Sequence, residues 1–67
     1  MYKSDHNLSS VVAHDTLLLA SRWRNAVRRG DVSENYAADQ VAGEITYPYA
    51  TASHYANVRA LALKYVR

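Results

Sequence analysis

The side chains of this 67-residue sequence that could move protons or hold a metal are His6, His14 and His54, together with six carboxylates and no cysteine. An imidazole-based metal site would place two histidines about one helical turn apart or add a thiolate pair, and neither spacing occurs. His14 and Asp15 are adjacent, and adjacent residues on a helix face different directions. Serine, histidine and aspartate are all present, but nucleophilic catalysis also needs a cleft and an oxyanion hole. So short a chain has little backbone from which to build either. Neither enzyme activity nor a metal or cofactor is expected.

Chemical character is concentrated instead in Arg22-Trp23-Arg24-Asn25-Ala26-Val27-Arg28-Arg29. At about 100° per residue, Arg22 and Arg29 flank one side of Trp23 while Arg24 and Arg28 flank the other. Four guanidinium groups around one aromatic suit phosphates or an acidic protein surface. The plainer reading puts Trp23 in the core, with the arginines covering its edges and pairing with Asp31, Glu34, Asp39 or Glu44. Four arginines in so short a stretch exceed what the negative end of a helix dipole requires. A second set of candidates is aromatic. Tyr47 and Tyr49 bracket Pro48 in a connecting segment, where exposure is the default and tyrosine makes a good contact residue. Tyr55 and Tyr65 are expected to replace the missing phenylalanine in the core.

Three elements position these groups. A helix from about Ser9 or Ser10 to Arg29 carries a stripe of Leu8, Val12, Thr16, Leu19, Ala20, Trp23, Ala26 and Val27, centred on Trp23, and Gly30 ends it. Asp31 and Glu34 have capping-box spacing, so a second helix from about Val32 to Ile45 follows after a tight connection. It buries Ala37, Ala38, Val41 and Ile45. The residue before Pro48 ends it. A third helix starts between Pro48 and Ser53, with Thr51 as one N-cap candidate, and carries Tyr55, Val58, Leu61, Ala62, Tyr65 and Val66 to the C-terminus. The expected fold is a small all-α, three-helix domain: an antiparallel hairpin of about residues 9–29 and 32–45, plus a helix of about 51–66. The whole chain, 1–67, forms one domain with residues 1–8 as a flexible arm.

Composition constrains the packing. Eleven alanines and six tyrosines accompany only 14 leucine, valine and isoleucine residues. Alanine allows close backbone approach, and tyrosine rings are expected to supply the core's bulk. A domain of this size hides only about 60% of the surface its unfolded chain exposes, which leaves little margin. Leu17 and Leu18 point away from the Trp23 stripe on opposite sides and make the first helix apolar around most of its circumference. They are the expected oligomer contact, most simply of a homodimer.

Charge is segregated: residues 1–30 carry a net +3, residues 31–46 a net −4 and residues 47–67 a net +3. Packing the acidic middle helix between two basic ones relieves both. The first ten residues contain no apolar stretch and no run approaches a membrane span, so a cytoplasmic protein without membrane contact is expected.

A helix-turn-helix reading would aim Ser53, His54, Asn57 and Arg59 at DNA bases. The segment from Gly43 to Thr51 is too long for that motif's turn, and the supporting helix is acidic. The sequence is therefore read as a non-enzymatic interaction module, a stoichiometric inhibitor or adaptor of the kind phages and plasmids carry. It binds a larger protein with an acidic or nucleic-acid-like surface through Arg22, Arg24, Arg28, Arg29, Tyr47 and Tyr49. The alternative is a small regulator that contacts nucleic-acid phosphates through the Arg22–Arg29 cluster.

Overall fold

A computed structural model describes residues 10–48 and 51–67, which form three helices and no strand. They are α1 (Ser10–Arg28), α2 (Glu34–Thr46) and α3 (Ala52–Tyr65), an all-α small domain. The expected arm at residues 1–8 and the contact candidate Tyr49 lie outside the described residues.

Local chemistry accounts for the ends. Gly30 has φ +80°, a left-handed conformation that other residues rarely adopt. Around it the Gly30 N–H donates to the Val27 carbonyl at 3.0 Å and the Asp31 N–H to the Ala26 carbonyl at 2.9 Å, the paired bonds of a Schellman stop. That stop corrects the capping-box expectation. Asp31 is occupied in closing α1, and its carboxylate takes the guanidinium of Arg29 at 3.0 Å. The N-cap of α2 is Ser33, whose hydroxyl accepts the Tyr36 N–H at 3.0 Å. Thr51 caps α3 in the same manner, accepting the His54 N–H at 3.0 Å. Before it, the Tyr47–Pro48 peptide is cis.

Cross-helix bonds give the topology. Arg59 and Arg67 of α3 and its C-terminal extension reach Asp39 and Glu34 of α2, so rising position on one meets falling position on the other. Arg24 of α1 reaches the Tyr65 carbonyl, which sets α1 and α3 parallel. The bundle runs up, down, up.

The interior is made of small side chains. Ala20, Ala37, Ala38, Val41, Ala42, Val58, Ala62 and Val66 are fully buried, along with Thr16, whose hydroxyl donates to the Val12 carbonyl at 2.7 Å. The expectation of tyrosine bulk holds only at the edge: Tyr65 packs half-buried against this cluster and Tyr55 is half-buried, while Tyr36 and Tyr47 are exposed. Trp23 is likewise not the centre of the α1 stripe. It is half-buried at the edge facing α2, where its ring meets Tyr36 edge-on at 5.9 Å between centroids. Helices that touch through alanine approach too closely to admit an indole between them, so Ala20 and Thr16 take the centre.

Candidate protein-interaction surface

The four arginines of α1 and its C-terminal end divide by what they touch. Arg24 is half-buried, and its Nε and one terminal nitrogen donate to the Tyr65 carbonyl at 3.1 and 2.8 Å. The last carbonyls of a helix lack partners within it, so this guanidinium acts as a cap for α3 and meets the negative end of its dipole. Arg29 pairs with Asp31, both largely in solvent. Arg22 and Arg28 are exposed and have no carboxylate within 4.0 Å among the described residues.

The acids of α2 draw their partners chiefly from α3, which corrects the expected pairing with the arginines of α1. The Arg67 Nε donates to Glu34 at 3.1 Å. Arg59 donates to Asp39 and, at 3.0 Å, to the Asn35 side chain, while the Tyr55 hydroxyl donates to Asp39 at 3.2 Å. This network joins α2 to α3 through residues to which the sequence reading gave other roles or other partners. Its one sequence signal was the opposite net charge of the two segments.

The network has a pH signature. The hydrogen bond from Arg59, opposed by partial desolvation and aided by the Arg59 charge and the Tyr55 hydroxyl, holds the Asp39 carboxyl below its ordinary 3.8. Desolvation, followed by the hydrogen bond to Asp39 and its charge, pushes the Tyr55 hydroxyl above its ordinary 10.0. A carboxylate depressed in the folded state contributes stability above its unfolded value and loses it as pH falls through the folded one. A raised phenol contributes below its unfolded value and loses it as pH rises. Asp39→Asn should therefore flatten the melting temperature against pH below 3.8 and, because the desolvation of Tyr55 remains, only in part above 10.0. Thermal melts by circular dichroism check this, and parallel wild-type and variant curves would mean that the network contributes nothing.

Several large side chains lie on the outside, whereas Leu19, Trp23, Ile45, Leu63 and Tyr65 are half-buried against the core. Val11 is 68% exposed, Leu17 37%, Leu18 54%, Tyr36 50% and Tyr47 81%. By helical phase Leu17 sits on the α1 flank that faces α3, beside Arg24 and Arg28, whereas Leu18 shares its face with Val11 and Arg22. On α2, Tyr36, Gln40 and Gly43 form one exposed line that Tyr47 extends beyond the helix end. Between α1 and α2 an open cleft of about 340 Å³ is lined by Asp15, Leu18, Leu19, Arg22, Glu44 and Ile45. Asp15, Glu44 and Tyr36 are surface residues that sequence reasoning did not select. Their role depends on which helix faces are left uncovered, and hydrophobic periodicity does not report that.

Among the described residues no three histidine, aspartate or glutamate side chains gather where they could hold a metal ion. No described helix is long and apolar enough to cross a membrane. Comparison with protein families, with curated proteins and with solved structures found no match to this chain.

Proposed function

We propose that this chain is a non-enzymatic interaction module that binds a larger protein, as a stoichiometric inhibitor or adaptor does, and also self-associates. One observation carries the reading, an inversion of size. Every fully buried side chain among the described residues is alanine, valine or threonine, whereas Leu18, Tyr36 and Tyr47 stand in solvent. Exposed tyrosine beside arginine is the composition of protein contact sites, and tyrosine brings large area at a small entropy cost. The partner-binding face is the line of Tyr36, Gln40, Gly43 and Tyr47, with Trp23 backing Tyr36. Arg28 and Arg29, at the same end of the bundle as Tyr36, favour a partner rimmed with carboxylates. The Arg29–Asp31 pair is exposed, so exchanging Asp31 for a partner carboxylate costs at most about 1 kcal/mol.

The nucleic-acid alternative draws less support. Arg24 is held by the Tyr65 carbonyl, and Arg22 and Arg28 point from different faces of α1. Phosphate recognition gains its affinity from several cations along one track.

The test is a photo-crosslinking amino acid placed at Tyr36 or Tyr47, with Ala60 on the exposed back of α3 as control, in cells that express the chain. The expected result is one discrete protein adduct from either tyrosine position and none from position 60. Absence of that adduct, or binding of labelled random duplex DNA at low salt, overturns the reading.

A further inference from the structure

The outward face of α1 carries Val11, Asp15, Leu18 and Arg22, all exposed. Asp15 and Arg22 lie on the same flank of the Val11–Leu18 line, one turn before Leu18 and one turn after it. Neither has an ion-pair partner among the described residues, although both line the same open cleft, which also presents Glu44. The opposite flank holds His14 and Ser21, which offer no fixed countercharge.

From this pattern we infer that a second copy of the chain seats on this face with its α1 antiparallel to the first. A two-fold axis perpendicular to α1, passing between Leu18 and Leu19, sets Asp15 of each copy level with Arg22 of the other. An antiparallel two-fold pair also turns like flanks toward each other, so both charge pairs form on the same side, with Glu44 supplying a second carboxylate in each cleft. Leu18 packs at the axis against Leu18 and Leu19 of the second copy. A parallel pairing would instead set Asp15 and Arg22 against the flank of His14 and Ser21 and leave four charges unmatched. The isologous rule, that residue i meets j while j meets i, is thus written into the spacing of one acid, one leucine and one arginine.

The inference rests on the reading of this chain as an interaction module and names a second copy as one occupant. One apolar contact with two exposed ion pairs makes a small interface, so the association is weak and depends on concentration.

Sedimentation equilibrium of the full chain over a concentration series at low salt provides the test. The wild type shows a monomer–dimer equilibrium. Arg22→Glu or Asp15→Arg alone raises the dissociation constant about tenfold, since two favourable pairs become two repulsive ones. Combining both substitutions recovers most of the loss, and Leu18→Lys abolishes the dimer while Leu17→Lys keeps it. Circular dichroism confirms that each variant folds. Because the chain has no cysteine, Leu18→Cys links two copies through a disulfide on oxidation, whereas Val11→Cys, far from the axis, does not.

A monomer at all concentrations, linkage through Val11→Cys, or a double charge swap no better than either single one overturns the inference. Crosslinking of another protein at Tyr47 by a chain that stays monomeric would leave the interaction reading standing and remove the dimer alone. A dimer without that crosslink would do the reverse.

Discussion

Ala20→Leu should abolish the cooperative thermal unfolding of this domain. Ala20 is fully buried within a cluster of Ala37, Ala38, Val41, Ala62 and Val66. Inserting extra methylenes into a packed core costs about 1–3 kcal/mol even where neighbours can adjust. The buried members of the cluster cannot adjust by rotation, because alanine has no rotamer to change and valine is stiff at its one side-chain torsion. Only half-buried side chains at its edge, such as Leu19, Ile45 and Leu63, can turn aside. The rest of the relief must come from helix separation, which would open contacts to both α2 and α3 together. A core in a domain of this size supplies no more than about 3–5 kcal/mol, so the substitution removes most of the margin. Ala60→Leu is the matched control. Ala60 is exposed on α3, and alanine and leucine differ little in helix propensity, so its melt should overlay the wild type. Circular dichroism melts of the two variants decide the matter. An Ala20→Leu protein that melts within a few degrees of wild type would show that this alanine does not set the helix spacing.

The small-residue core also marks where the sequence could be read and where it could not. Gly30 and Thr51 announced their roles because a left-handed stop and an N-cap are local requirements, met within a few residues of chain. Asp31 misled for the opposite reason. Its spacing to Glu34 matched a cap, but the Schellman stop of α1 claimed it first, and the choice between two adjacent motifs is settled by how both helices dock. The alanines foretold close helix approach. What composition did not reveal is that close approach excludes tyrosine, so aromatic residues counted as core belong to the rim. The targets of the arginines were hidden at a deeper level. Arg59 and Arg67 find carboxylates on α2 only because α3 runs antiparallel to it. Arg24 finds a backbone carbonyl, which carries no side-chain signature at all. As for the candidate surface, the sequence placed Leu17 and Leu18 on opposite sides of one helix. It could not say that Leu18 is the one left on the outward face, since that depends on where α3 packs.

Arg24→Gln should destabilise the domain by about 2–3 kcal/mol, the sum of charge-assisted bonds to a helix end and a cation at its negative pole. Both donors converge on one oxygen, the Tyr65 carbonyl, in a half-buried position where water replaces them imperfectly. Arg24→Lys keeps the charge but loses the two-pronged donor geometry, so it should recover only part of the loss. Arg28→Gln, one turn further along α1 with no acceptor among the described residues, should stay within about 0.5 kcal/mol of wild type. Urea denaturation gives the three differences. Amide exchange localises them, because loss of a cap should raise exchange in the last turn of α3 before it affects α2. Equal effects of the changes at positions 24 and 28 would mean that the cap contributes nothing. The expected inequality also governs how the partner surface is probed. Reversing Arg24 to glutamate would bring a carboxylate against a carbonyl oxygen and loosen α3, so a loss of binding in that variant would report unfolding. The arginines whose reversal reports contact are Arg22, Arg28 and Arg29, which hold nothing in the fold that an exposed pair could not replace.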